Sequence, residues 1–330
     1  MAGGGRQERR AVIDIGSDTV HLVIGRLVPG PGGGPAVETL ESHSVLLELG
    51  LEVARYGRID PRDLRGLEAV VTRFAAKARR EAGHLVIGAT EASRRAANGG
   101  EVLAELAQRV GEPIRLLSGV REAQLGVLGV RARLDERGEQ LVVDSGGAST
   151  ELSLTSGREV WAAASLGAGA AALRAAMPGD PPGPLTWALG AAAAGMALAA
   201  APPGRPAKAW ATGGTAHHLV RLERKTRNRK PAALTMGEME RLSGELLRKP
   251  AEKLGRRRKQ DPRRVALLAP GVLILAAVLR HYGLERCTVL PEGVREGMLL
   301  ASALEGETWW QDRAGEGRGG GEEERKAAGA

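Results

Sequence analysis

Apolar residues keep two different periods along this chain, and the chain switches between them repeatedly. The stretch Ala11-Val-Ile-Asp-Ile-Gly-Ser-Asp-Thr-Val-His-Leu-Val-Ile24 is apolar on both sides of a polar turn, which predicts a hairpin over 11–28. Leu64, Leu67, Val70, Val71, Phe74 and Ala75 then fall at helical spacing and predict a helix over 61–82. Short apolar runs at 84–88 and 114–117 read as strands, and 45–49 is a further strand candidate. Helices are predicted around them at 89–98, 101–110 and 122–133. The second half repeats the scheme, with hairpins over 141–165 and strands at 207–212 and 286–290. Its predicted helices cover 168–176, 185–201, 236–247, 265–282 and 293–304. Alternation of strands and helices predicts an α/β architecture. Pro/Gly-rich segments at 29–35 and 178–184 read as loops. Residues 1–10 and 305–330 have few apolar side chains and read as disordered ends.

At 330 residues the chain is long enough for two domains with cores of their own, predicted at 11–131 and 132–304. Hydrophobic residues make up 43% and aromatics only 2%, so the core must be aliphatic and rich in Ala. A net charge of +8 favours an anionic partner without choosing among nucleotide, polyphosphate, nucleic acid and membrane surface. Much of that charge lies at 221–230 and 249–264, either as a solvated face or as a track for a long polyanion. Those stretches lack aromatics, which argues against base stacking on single-stranded nucleic acid. The single Cys287 excludes a disulfide within the chain and fits a reducing, cytoplasmic setting. No unbroken apolar run reaches the ~18 residues of a membrane helix, and the longest stretch, 265–279, contains Pro270 and Gly271.

Chemistry concentrates in Leu141-Val-Val-Asp-Ser-Gly-Gly-Ala-Ser-Thr-Glu151. Gly146 and Gly147 let the backbone approach an anion closely, and Ser149 and Thr150 offer hydroxyl donors. Asp144 and Glu151 are oxygen ligands suited to a hard cation such as Mg²⁺. The first hairpin is laid out the same way: Asp14, Gly16 and Thr19 match Asp144, Gly146 and Ser149 in spacing, with Ser17 beside them. A third strand, 209–212, ends in Gly213-Gly-Thr215. One such segment would pass for an ordinary hairpin with a polar turn. Three in one chain point to a duplicated domain with a phosphate cleft between the halves. His217 and His218 are adjacent on a helix and so point apart, and His21 lies on a hairpin strand; none of the three is read as a metal ligand.

Five segments together resemble the exopolyphosphatase/guanosine pentaphosphate phosphatase family of the actin-like ATPase superfamily, over about residues 11–304. Asp14–Leu22 and Asp144–Leu152 resemble its two phosphate motifs, and Ala89–Asn98 its Ala-Thr-x-x-x-Arg-x-Ala-x-Asn motif. Ser118–Ala123 resembles the segment carrying its catalytic glutamate, and Gly293–Gly297 its closing Gly-Leu-Arg-Glu-Gly. The resemblance implies two actin-like ATPase (ribonuclease H-like) domains with a phosphate-binding cleft between them. It implies that Gly16, Ser17, Gly146, Gly147 and Ser149 cradle phosphates, and that Arg94 holds one through its guanidinium fork. Asp144 and Glu151 would organise Mg²⁺ or another divalent cation, and Glu122 would be the general base that deprotonates water. Asp14, Asp18, Thr19, Gly213, Gly214 and Thr215 are further candidates at the site. The implied activity is release of terminal orthophosphate from inorganic polyphosphate. Hydrolysis of the 5′ γ-phosphate of guanosine pentaphosphate, and a catalytically weak polyphosphate- or alarmone-binding regulator, stand as alternatives. A kinase fits 118–123 less well. The resemblance also implies a homodimer. The chain departs from the family pattern at Asp18 (usually Asn), Glu48 (Arg), Arg121 (Glu), Ala148 (Gly) and Ala266 (Asp).

Overall fold

The computed structural model describes residues 8–30, 34–224 and 231–313. The disorder predicted at 1–7 and 314–330, the loop residues 31–33 and the basic residues 225–230 lie outside the described residues.

In the first half, β1 (Arg9–Ile15), β2 (Thr19–Pro29) and β3 (Pro35–Leu46) form an antiparallel meander. It is followed by α1 (Leu49–Tyr56), α2 (Pro61–Glu81), β4 (His84–Ala89), α3 (Glu91–Arg95), α4 (Gly99–Val110), β5 (Ile114–Leu116) and α5 (Gly119–Val130). The sheet order is β3-β2-β1-β4-β5, with β4 parallel to β1 and β5 parallel to β4. In the second half, β6 (Glu139–Ser145), β7 (Thr150–Ser156) and β8 (Glu159–Leu166) repeat the meander. Then come α6 (Ala170–Ala176), α7 (Pro184–Ala197), β9 (Lys208–Thr212), α8 (Gly213–Arg224), β10 (Ala232–Thr235) and α9 (Met236–Leu246). The chain ends with α10 (Ala251–Arg258), α11 (Pro262–Ala266), α12 (Leu268–His281), β11 (Arg286–Val289) and α13 (Val294–Leu304). Read from the meander side, this sheet runs β8-β7-β6-β9-β11-β10, the first winding with one antiparallel edge strand added.

The central strands are covered on both faces, which is why they read as near-continuous apolar runs. Ala11, Val12 and Ile13 are fully buried, as are Leu141 and Val143. One face of the first sheet packs on α2, whose start is set by Pro61 and by the Asp60 carboxylate accepting from the Arg62 N–H at 2.8 Å. Leu67, Val71, Phe74 and Ala78 form its buried stripe. The opposite face packs on α5 and α13 through Val12, Leu117, Leu125, Met298 and Leu299. These two helices cross at backbone contact. A β-carbon at Gly297 would lie 1.9 Å from the Leu125 carbonyl oxygen, so only glycine permits the approach.

Several sequence expectations change here. The helix α13 falls in the predicted second domain but packs on the first sheet, against β1, β2 and β3. The predicted strand at 45–49 is the end of β3, and α1 begins at Leu49. As an edge strand with no fully buried residue, β3 mixes polar and apolar side chains without a clean alternation. Arg9 and Arg10 belong to β1, and Arg10 Nη1 donates to the Ser302 carbonyl at 3.2 Å. The predicted disordered tail is ordered through Arg313, because Trp309 is buried beside Leu117 and Met298. The predicted helix at 265–282 is two, α11 and α12, and α10 and β10 stand outside the predicted elements. Among the described residues no helix is long and apolar enough to cross a membrane.

Candidate functional site

The two meanders end in the same turn. The Gly16 N–H donates to the Thr19 carbonyl at 3.2 Å, and the Gly146 N–H to the Ser149 carbonyl at 3.1 Å. Asp14 is the penultimate residue of β1 and Asp144 that of β6. The turns face each other across a cavity of about 540 Å³. Asp14, Gly16, Ser17, Asp18, Thr19, Glu122, Asp144, Gly146, Gly147, Ser149, Gly213, Gly214 and Thr215 all line it.

Four carboxylates set the electrostatics. Asp144 and Glu151 are direct partners in the β6–β7 register, so their side chains share one face of the sheet. Glu151 is 2% exposed and accepts from the Ser165 hydroxyl at 2.7 Å. It does not line the cavity itself; it stands behind Asp144. Burial pushes the Glu151 carboxyl up to about 7, with the Asp144 charge adding to the rise. Burial likewise raises Asp144, against the Thr212 hydroxyl and Arg295, which favour its charged form. Asp14 is pushed up to about 6 by burial, held back by Arg295 and raised further by Asp144 and Glu296. Glu122 is raised well above the ordinary carboxylate range by burial and by Glu151, while Arg94 opposes the shift.

Glu122 sits in the first turn of α5, where the Ser118 hydroxyl caps the helix by accepting from the Arg121 N–H at 2.9 Å. Both Nη1 and Nη2 of Arg94 donate to its Oε2 at 3.0 Å. The rest of the Arg94 fork is also committed. Nε and Nη2 donate to Glu91 Oε2 at 2.9 and 2.6 Å, and Nη1 to the Leu117 carbonyl at 2.6 Å. All five guanidinium donors are therefore used inside the protein, and Arg94 does not line the cavity. Instead of facing the cavity, the guanidinium pairs with the Glu122 and Glu91 carboxylates.

Gly213–Thr215 is likewise not a glycine loop. Gly213, at φ 86°, turns the chain directly from β9 into α8, and a side chain there would strike Asp144 Oδ1 at 2.3 Å. The three residues form the first turn of a helix, whose N–H groups have no partners inside that helix. Asp18 reaches across the cavity mouth, since a β-carbon at Gly147 would meet its Oδ2 at 2.4 Å. Its Oδ1 is buried without a hydrogen-bond partner. Burial and the Glu48 charge push the Asp18 carboxyl up to about 7, with Arg264 opposing.

Sequence reasoning assigned no role to several lining residues. Arg264 Nη1 donates to Thr19 Oγ1 at 3.2 Å and ties α11 to the first hairpin. Arg295 lines the cavity with its Nε buried and unpartnered. Glu296 accepts from the Gly293 N–H at 2.9 Å and caps α13. The motif Gly293–Gly297 was the available signal for the last two, whereas Arg264 was hidden in a basic run. Much of that run is neutralised locally: Arg256 pairs with Glu252, Arg257 with Glu245, and Arg263 with Asp261. His217 and His218 are on the cavity wall, and burial lowers His218 to about 4, which keeps it neutral.

Residues 38–305 match the family model described as the Ppx/GppA phosphatase family. The chain belongs to this family. It is thus a hydrolase of a family whose named members act on phosphoanhydride bonds, built as two actin-like α/β domains around a cleft. Among similar proteins, "Exopolyphosphatase 1" of Mycobacterium leprae is 29% identical over 304 residues, 88% of each chain. "Guanosine-5'-triphosphate,3'-diphosphate pyrophosphatase" of Vibrio cholerae is 35% identical over 159 residues, 47% of this chain and 31% of that one. The crystal structure of the Aquifex aeolicus Ppx/GppA family member superposes with a TM-score of 0.75 at 25% identity, covering 91% of this chain and 98% of that one.

Proposed function

We propose that this chain releases orthophosphate from the end of inorganic polyphosphate, with Glu122 activating the attacking water. The observation that carries the reading is the setting of Glu122: a buried carboxylate, oriented by Arg94, at the wall of a cleft between two matched glycine turns. Burial and the Glu151 charge raise its proton affinity, which strengthens it as a base toward water. The water oxygen bonds to the terminal phosphorus, the bridging P–O bond breaks, and the water proton passes to Glu122. N–H groups at the two turns and at the start of α8 would meet the phosphoryl oxygens as charge develops on them. Arg264 and Arg221, along the same wall, suit the remainder of the chain.

The carboxylates also fit a divalent cation such as Mg²⁺. Asp144 and Glu151 adjoin on one face of the sheet, and burial raises the proton affinity of both, so a cation beside them would offset the cost of keeping the carboxylates ionised away from water. Among the described residues no three side chains of metal-ligand type gather into a shell. That suits Mg²⁺, which takes one or two carboxylates and fills its shell with water and phosphate oxygens. Asp144, backed by Glu151, would hold it, and when bound it would neutralise charge on the transferred group.

The match to the mycobacterial exopolyphosphatase, over 88% of both chains, favours polyphosphate. Val220, Leu267 and Leu268 give the cavity an apolar wall that a nucleoside would cover, so guanosine pentaphosphate is the second reading. The test measures orthophosphate release from long polyphosphate, short polyphosphate and guanosine pentaphosphate with Mg²⁺, for wild type and Glu122→Gln. Release that falls on the order of a hundredfold or more in the variant, with polyphosphate still bound, is expected. Equal release from both proteins would sink the assignment of Glu122.

A further inference from the structure

Beside Glu122 the chain carries Arg121. That side chain is 1% exposed and points away from the cleft, into the segment 305–313. Its Nε and Nη2 donate to the Trp309 carbonyl at 2.9 and 2.5 Å, and Nη2 donates to Glu305 Oε2 at 2.5 Å. Two surface ties flank this anchor. The Ser118 hydroxyl donates to Asp312 Oδ1. Gln124 clasps the Arg313 backbone, donating to its carbonyl at 3.0 Å and accepting from its N–H at 3.2 Å. Trp309 is 4% exposed in the core cluster that holds Leu117 and Leu125, on either side of Glu122 in the chain.

We propose that Ser118, Arg121 and Gln124 are positioning residues for Glu122, which fix the start of α5 against the C-terminal strap 305–313. The inference rests on the reading of Glu122 as the base. Arg94 holds the carboxylate end of Glu122, and the strap holds the backbone end. Its ties fall at the helix cap, at the adjacent residue and two residues beyond, so they resist both sliding and rotation of the first turn. A base displaced by about 1 Å loses a large part of its rate. None of these ties touches the two glycine turns or the start of α8. The strap therefore governs the chemical step and leaves phosphate binding alone.

The test uses the full chain, medium-length polyphosphate and Mg²⁺. The ties from Gln124 and Asp312 are at the surface, so the double variant Gln124→Ala/Asp312→Ala keeps its fold, checked by thermal unfolding. Its kcat is expected to drop on the order of tenfold with KM within twofold of wild type. Asp312→Asn, which keeps an acceptor for the Ser118 hydroxyl, is expected to retain the wild-type kcat. An unchanged kcat in the double variant overturns the proposal. So does a fall in kcat matched by a rise in KM and an equal loss in Asp312→Asn, which marks general loosening. Trp309→Ala supplies an independent reading: it too must lower kcat at constant KM in the fraction that remains folded, and a wild-type kcat there counts against the strap. Glu122→Gln in the same assay separates the two claims. If that variant is active, the reading of the base fails. If it is inactive while the strap variants match wild type, only the strap proposal fails.

Discussion

Replacing Glu151 by Gln should stabilise the protein, and more at pH 8 than at pH 5. Glu151 is 2% exposed, adjoins Asp144, and is pushed from the ordinary 4.5 up to about 7 by burial and that neighbouring charge. A carboxyl raised in the folded state binds its proton more tightly there than in the unfolded chain. Its contribution is thus most favourable below pH 4.5 and is lost as pH rises through 7. Each unit is worth about 1.4 kcal/mol, so a shift of this size costs the folded state about 3 kcal/mol at pH 8. Most of that cost is absent at pH 5. Gln fills the same space, still bonds the Ser165 hydroxyl, and carries no charge. At about 2 °C per kcal/mol for a chain of this size, the gap in Tm between variant and wild type should widen by about 5 °C from pH 5 to pH 8. Comparing variant with wild type cancels the opposite trend from His218, which burial lowers to about 4. The assay is thermal unfolding at both pH values without divalent cation, then with millimolar Mg²⁺. The cation should narrow the gap at pH 8 by stabilising wild type more than the variant. A gap that is equal at the two pH values, or a wild type more stable than the variant at pH 8, would refute the account of uncompensated charge.

Asp18→Asn should lower KM for polyphosphate several-fold at pH 8 and little at pH 6. It removes an anionic group from the cavity mouth whose carboxyl is raised to about 7, and paired measurements at the two pH values test this. Gly297→Ala should cost about 3 kcal/mol, measured by urea unfolding, because its methyl would sit 1.9 Å from the Leu125 carbonyl oxygen and force α5 and α13 apart.

The local order of this chain is legible in its amino-acid pattern. Period-2 and period-3.6 patterns mark hydrogen bonds made between near neighbours, so hairpins such as β1–β2 and amphipathic helices such as α2 are written where they form. The spacing of Asp14 and Gly16, repeated at Asp144 and Gly146, makes the duplication and the paired turns readable for the same reason. What an arginine does is not readable in this way. Arg94 and Arg295 look alike in sequence, yet one spends every donor within the protein and the other lines the cavity with a buried N–H unpartnered. The difference depends on which groups the fold brings close, and the partners of Arg94 include Glu122, 28 residues away. Arg121 and Trp309 are separated by 188 residues, and α13 returns across the molecule to the first sheet. Contacts that distant leave no period in the local sequence. They are decided when two preformed surfaces meet, and here that meeting determines which carboxylate pairs with Arg94 and which cations face the cleft.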